Sequence, residues 1–263
     1  RATRIGVSGD RGTANQNAAA VRDAYDAFNA GQDTDVWLML GDNAYGSGTD
    51  QEYQENLFEL FPSMLRKSVL WPTIGNHDTN GGAAGWPYFD NFSFPVHGYT
   101  VGVVSGTENY YEFDFDNIHF VVLDSQVSIR QPSSPMLSWL EADLAATPLD
   151  WIIAFWHRPP YSKGAHDSDN PAGGPDESRL QQMRENVVPI LEDHGVDLVL
   201  SGHSHSYERS FLIDGHYGDS STFVEAMELD AGSGSVVADG AYVKPLGLVA
   251  RAGEVFAVTG SAG

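Results

Sequence analysis

Short apolar runs of strand length alternate along this chain with stretches whose apolar residues recur at helical spacing, and that alternation limits the fold more than any other feature. Arg4 to Ser8 precedes a helical face of Ala18, Val21, Tyr25 and Phe28, and Val36 to Leu40 precedes another of Tyr53, Leu57, Leu60 and Met64. Val69 to Ile74 is the third run, followed by a long Gly-, Pro- and aromatic-rich loop from Thr79 to about Gly106. Tyr111, Phe113 and Phe115 alternate with acids, and Asp116-Asn117 predicts a hairpin turn into the buried run Phe120 to Leu123. Pro135 opens a helix bearing Leu137, Leu140 and Leu144; Trp151 to Trp156 is a buried strand, and His157 to Asp176 a polar loop. Leu180, Met183, Val187 and Ile190 mark a further helix that Pro189 kinks or restarts. Val196 to Leu200 is the last strong buried run, with short strands and glycine turns beyond Ser210. The pattern predicts an α/β fold. A chain of 263 residues with 41% hydrophobic content can bury a large core, and one domain is favoured over two.

Composition excludes several roles. The 36 acidic residues against 14 basic give a net charge of -22, a field that repels nucleic-acid backbones and anionic membranes. No apolar stretch is long enough to span a bilayer as a helix. With no Cys there are no disulfides or thiolate ligands, so any metal must be held by His, carboxylate, amide or phenol. An acidic, Cys-free chain starting at Arg1 fits a secreted or extracytoplasmic bacterial protein whose leader has been removed, and a salt-adapted protein nearly as well. A monomer is the default expectation.

In α/β folds ligands gather beyond the carboxyl ends of strands. Asp10 follows the first run in Gly9-Asp10-Arg11-Gly12, and Asp42 the second in Gly41-Asp42-Asn43-Ala44-Tyr45. Asn76 and His77 follow the third in Gly75-Asn76-His77-Asp78; His157 ends Ala154-Phe155-Trp156-His157; His203 and His205 lie in Gly202-His203-Ser204-His205. Taken singly, a Gly-Asp or Gly-Asn-His-Asp run is a turn and a lone His a core or surface residue. All five together, in this order and at strand ends, point to a metal site. Tyr45, three residues after Asp42, sharpens the chemistry, because a phenolate beside a carboxylate suits a hard trivalent cation.

These five blocks, spanning about Ile5 to Arg209, resemble the calcineurin-like metallophosphoesterases and, within them, the purple acid phosphatases. Most of that superfamily carries His two residues after the first Asp and a carboxylate three after the second, where this chain has Gly12 and Tyr45. That paired change is the purple acid phosphatase pattern, and Tyr207-Glu208-Arg209 matches as well. The resemblance implies a four-layer α/β/β/α sandwich of two mixed sheets flanked by helices. It implies a single catalytic domain over residues 1–263, without the β-sandwich domain of larger relatives, and further C-terminal strands, since the family's chains usually continue past a run like Val258 to Gly263. It further implies Fe(3+) held by Asp10, Asp42, Tyr45 and His205, and a divalent iron, zinc or manganese held by Asp42, Asn76, His157 and His203, with Asp42 bridging. Three anionic ligands against five positive charges leave a positive centre that can draw phosphate into an acidic protein. The activity implied is hydrolysis of small phosphate monoesters at acid to neutral pH, by in-line attack of a metal-bound hydroxide between cations about 3.5 to 4 Å apart. Phosphodiesters or nucleotides on the same scaffold are the alternative, and a non-enzymatic metal-binding role a third. His77 is expected to contact phosphate and His166 to protonate the leaving group, unless His166 is a solvated loop residue.

Other residues are expected to do less. His97, His119, His194 and His216 match no block and are assigned structural or surface roles. Asp78 is expected to orient a neighbouring His or close a turn. Asp124 is given a structural role, and Arg158 a salt bridge rather than a phosphate contact. Trp86, Tyr88 and Phe89 are expected to close a satellite core rather than line a substrate wall.

Overall fold

A computed structural model of the chain describes residues 2–29, 31–80, 86–96, 102–170, 174–235, 237 and 240–260. His97 lies outside the described residues, as does the side chain of Trp86.

Strand β1 (Ile5–Ser8) leads through helix α1 (Gln16–Asn29) to β2 (Val36–Met39). Helix α2 (Asp50–Tyr53), prolonged by a π turn over Gln54–Phe58, and α3 (Pro62–Leu65) then lead to β3 (Val69–Pro72). Thr49 starts α2 with a capping box, its side chain accepting from Glu52 N while Glu52 reaches back. The three strands pair in parallel in the order β1-β2-β3.

After α4 (Trp86–Asn91), β4 (Tyr111–Phe115) and β5 (Ile118–Val122) form the expected hairpin, with Asp116 at φ 58° in its turn. Helix α5 (Pro135–Ala146) and β6 (Trp151–Trp156) follow. The next helical stretch is continuous but altered in the middle: α6 (Pro175–Gln182), a π turn over Met183–Val187, then α7 (Val188–Asp193). Pro189 sits in the first turn of α7, where it restarts the helix as expected. Strands β7 (Leu198–Ser201), β8 (Tyr207–Arg209), β9 (Leu212–Ile213), β10 (Glu228–Asp230) and β11 (Val255–Thr259) complete the order. The second sheet runs β4-β5-β6-β7-β11-β8 and is mixed, while β9 and β10 form a small antiparallel pair.

Alternation along the strands explains the layering. Phe120 and Val122 of β5 and Ile153 and Phe155 of β6 join one core with all of β2 and with Tyr53, Leu57, Phe61 and Met64. Val121, Ile152, Ala154 and Trp156 face the other way, into a second core with Leu137, Leu140, Leu144, Met183, Val187 and Leu191. A strand buried on both faces reads as a continuous apolar run, which is why β5 and β6 were legible without a polar face. Each fully buried large side chain contributes roughly 1.5–3 kcal/mol. Helical turns, parallel sheet, mixed sheet and covering helices therefore stack as the expected four-layer α/β/β/α arrangement. The described strands of the first sheet are all parallel, so mixed direction is confined to the second.

One of the short strands expected beyond Ser210 takes a place that the sequence did not reveal. β11 lies inside the second sheet, parallel to β7 and antiparallel to β8, with Phe256 and Val258 buried. Its run Val255 to Thr259 follows a long irregular stretch, so no neighbouring helix pattern marked it as part of the sheet.

The residues set aside as structural behave so where they are described. Asp124 accepts from the backbone N of Gln126, Val127 and Ser128 and closes a turn. Tyr88 is buried, donates to Pro72 O and stacks on Phe94 in a small aromatic core that Phe89 also joins. His194 bonds Ile190 O, and His216 bonds Asp219 O and Thr222 Oγ1. His119 is fully buried between Asp114 and Asp143. Glu112, Asp114 and His119 also approach closely enough to hold a metal ion. His119 nevertheless commits both ring nitrogens to carboxylates, at 2.7 Å from Asp114 and 3.0 Å from Asp143, as an ion-paired imidazolium does.

Candidate metal centre

All seven candidate ligands lie just past strands β1, β2, β3, β6 and β7, and the two sheets bring them to one place. Asp10, Asp42 and His203 each adopt positive φ, at 56°, 51° and 66°. That conformation strains a non-glycine residue and is held only where surroundings enforce it. Backbone groups of neighbouring loops hold the two carboxylates in place: His203 N donates to Asp10 Oδ2 at 2.8 Å, and His77 N to Asp42 Oδ1 at 2.8 Å.

Four donors meet around Tyr45. Its hydroxyl lies 3.2 Å from Asp10 Oδ1, 3.1 Å from Asp42 Oδ2 and 3.1 Å from His205 Nε2, and His205 Nε2 is 3.5 Å from Asp10 Oδ1. Burial, then the charges of Asp10 and Asp42, push the Tyr45 phenol far above its ordinary ionisation range. Phenolate there requires a strong cation among the same oxygens, so this donor set fits a hard, highly charged ion.

A second set meets on the other oxygen of Asp42. His157 Nε2 lies 3.4 Å from Asp42 Oδ1 and 3.0 Å from Asn76 Oδ1, and Asp42, His157 and His203 come within reach of a single ion. His157 Nδ1 is 2.8 Å from Leu40 O, a contact that makes Nδ1 the protonated nitrogen and turns the Nε2 lone pair inward. Lone pairs of Nε2, Asn76 and Asp42 thus converge, an arrangement that only a proton or a cation relieves. Although burial opposes a charge on His157, Asp42 pushes its pKa up to about 9, so the pocket favours positive charge. His203 is held neutral by burial and by the nearby His157 and Arg158.

Gly12 and Tyr45 are coupled physically. Tyr45 N donates to Gly12 O at 2.7 Å, and a Cβ at position 12 would lie 2.6 Å from Ala44 Cα and N. A side chain at position 12 therefore cannot coexist with this path of the Asp42–Tyr45 loop. At Gly75 a Cβ would fall 2.2 Å from Asp42 N and Oδ1, so the loop after β3 reaches the Asp42 carboxylate only as glycine.

The two remaining candidates flank the centre. The His166 ring stacks on His203 with centroids 3.8 Å apart, and its Nδ1 is 3.5 Å from Glu177. His77 Nδ1 contacts Gly46 O at 2.8 Å, and its Nε2 is 4.0 Å from Asp42 Oδ2.

Of the two roles expected of Asp78, the structure shows the turn: Gly75 N donates to its Oδ2 across Gly75–Asp78. Its carboxylate accepts from Asn43 N, Asn43 Nδ2, Gly75 N and the Tyr53 hydroxyl, so it ties the loops after β2 and β3 together rather than orienting a histidine. Arg158, expected at a salt bridge, is buried with Nη1 2.9 Å from His203 Nε2 and Nε 2.9 Å from Gln126 Oε1. Two positioning residues were missed. Asn56 donates to both Gly12 O and Tyr45 O, and nothing in its own run announces it. Glu208 bonds Ser162 Oγ, Lys163 N and Ser206 Oγ, pinning the His166 loop to the His203–His205 loop. Its signal was the Tyr207-Glu208-Arg209 block.

Residues 3–207 match the calcineurin-like phosphoesterase family. The chain belongs to that family. Among the curated relatives of this calcineurin-like phosphoesterase is purple acid phosphatase 22 of Arabidopsis thaliana, 30% identical over 190 residues, which cover 68% of this chain and 39% of the relative. Another is tartrate-resistant acid phosphatase type 5 of Homo sapiens, 26% identical over 193 residues, 66% of this chain and 56% of the relative. The chain spans less than two thirds of the length of either relative. In fold it is similar to purple acid phosphatase PPD1 from yellow lupin, Lupinus luteus, with a TM-score of 0.69 at 17% identity over 99% of this chain and 44% of that one. A dimetal phosphatase from Danio rerio matches with a TM-score of 0.59 at 15% identity, over 99% of this chain and 88% of that one.

Proposed function

We propose that this calcineurin-like phosphoesterase is a dinuclear-metal phosphatase of the purple acid type acting on small phosphate monoesters at acid to neutral pH. The observation that carries the reading is the position of Asp42: Oδ2 faces the Tyr45 set and Oδ1 faces the His157 set. Asp10, Asp42, Tyr45 and His205 would hold a trivalent iron, and Asp42, Asn76, His157 and His203 a divalent iron, zinc or manganese. Relatives named purple acid phosphatases support the same reading. Two such cations would supply the charge that fixes the phosphate ester and makes a water nucleophilic.

The chain's own residues do the rest. With Nδ1 anchored on Gly46 O, the His77 ring presents Nε2 beside Asp42, where its charged form donates to a phosphate oxygen. His166, stacked on His203 and half-exposed at the rim, stands where the leaving alkoxide departs and delivers a proton to its oxygen. Asp78 and Glu208 hold the loops carrying these groups.

Rates on matched monoester and diester substrates test the substrate class. Monoester preference is expected, and a diester preference would overturn it in favour of the phosphodiesterase alternative. His166→Ala tests the acid. Hydrolysis of an alkyl phosphate, a poor leaving group, should slow by about 10²-fold or more, while a nitrophenyl phosphate changes little. Equal slowing of both would remove His166 from the proton-transfer step.

A further inference from the structure

We propose that Glu254 is a proton-dependent latch: its neutral carboxyl seats β11 against the loops of the metal centre, and ionisation loosens that strand. Glu254 stands immediately before β11 and is only 1% exposed. Its backbone bridges Ile213, and alternation along the strand puts its side chain on the same face as Phe256, toward the second core. Neither carboxylate oxygen has a hydrogen-bond partner among the described residues.

The surroundings supply no counter-ion. Three acids act on Glu254 through their charge, Glu192 of α7, Asp197 before β7 and Asp214 after β9, and Lys244 is the cation that opposes them. Lys244 is already engaged, with Asp197 Oδ1 at 2.7 Å and Val196 O at 3.0 Å. Arg251 is engaged with Glu192 Oε2 at 2.8 Å and Asp193 Oδ1 at 2.7 Å. The hydroxyls of Tyr161 and Tyr217 donate to His216 O and Glu192. Burial, then the charge of Glu192, hold the Glu254 carboxyl well above its ordinary range. A carboxylate without a donor is far costlier to bury than the neutral acid, so the folded chain keeps the proton.

Strand β11 carries the consequence to the site. Thr259 O accepts from Gly9 N at 3.1 Å, and Gly260 N donates to Ser206 O at 3.1 Å. A Cβ at position 260 would fall 2.8 Å from Asp10 Oδ2 and inside contact distance of Ser204 O. The end of β11 thus lies against both the Asp10 loop and the His203–His205 loop, while Glu254 holds its beginning. Ionised Glu254 favours states in which water reaches the carboxylate, and β11 must leave its place to allow them. Because the folded carboxyl ionises later than the unfolded one, the stabilisation is complete below about pH 4.5 and declines as pH rises toward the folded value.

Urea unfolding of the metal-loaded full chain and of Glu254→Gln, at a series of pH values from about 4.5 upward, tests the latch. The unfolding constant of the unaltered protein, divided by that of Glu254→Gln, should rise by up to about tenfold per pH unit. A ratio that stays flat or falls would overturn the proposal. Glu254→Leu, equally unable to ionise, should give the same rise and decides the matter if Glu254→Gln does not fold. The link to the metal loops rests on the proposed dinuclear reading, and metal release to a chelator tests it. Release from the unaltered protein, relative to Glu254→Gln, should speed up over the same pH range. A constant release ratio would detach Glu254 from the metal loops and overturn the latch. Protein that binds no metal would instead overturn the dinuclear reading, with the unfolding ratio still deciding for or against Glu254.

Discussion

Replacing Asp42 with Asn is expected to lower phosphate-monoester hydrolysis by about three orders of magnitude or more. Each factor of ten is about 1.4 kcal/mol of transition-state stabilisation, and the charge supplied by a two-cation site is worth several kcal/mol. Asp42 is the one side chain common to both donor sets, with Oδ2 at 3.1 Å from Tyr45 and Oδ1 at 3.4 Å from His157. An amide keeps the shape but donates through its nitrogen, so one set would face N–H where it needs a lone pair. The measurement is turnover with metal content determined on the same sample. Loss of activity together with loss of metal is the expected pair. Near-normal activity in Asp42→Asn would mean that the two sets do not act as one centre.

The second large effect concerns stability. His119→Ala removes the cation lying between Asp114 and Asp143 and leaves Asp143, fully buried, without its charge partner. Breaking a buried pair this way costs about 3–5 kcal/mol. Burial opposes the charge on His119, but the hydrogen bonds and charges of Asp143 and then Asp114 outweigh it, and its pKa is raised above the ordinary 6.5. With the folded pKa raised, the stabilisation is complete below pH 6.5 and disappears as pH climbs through the folded value. Urea unfolding of both proteins from pH 5.5 upward should show the gap narrowing at the alkaline end. The lost packing volume contributes equally at every pH, so a gap that never narrows would show that His119 is neutral in the fold.

How much of this was visible beforehand depends on where the determining contacts lie. Runs such as Ile152 to Trp156 declared themselves because both faces of their sheet are covered, and Asp10, Asp42, Asn76, His157 and His203 because parallel strands present their carboxyl ends together. Tyr45 and Gly12 were legible as a pair, but the reason for the pairing was not. It is a steric fact between Gly12 and the backbone of Ala44, which only the folded loops reveal. The bond from Gly75 N to Asp78 is local and fits a turn, but nothing showed that Asn43 and Tyr53 would be its other partners, since those contacts join segments far apart along the chain. The place of β11 in the sheet was hidden for a related reason: a strand arriving last takes its place from tertiary pairing with β7 and β8, not from its local surroundings.

Metal analysis with a visible absorption spectrum, on the unaltered protein and on Tyr45→Phe, bears most directly on the proposed centre. Two metal ions per chain, at least one of them iron, are expected, with a visible charge-transfer band that disappears in Tyr45→Phe while metal remains bound. Protein without iron, or a band that survives the loss of the Tyr45 hydroxyl, would contradict the purple acid assignment.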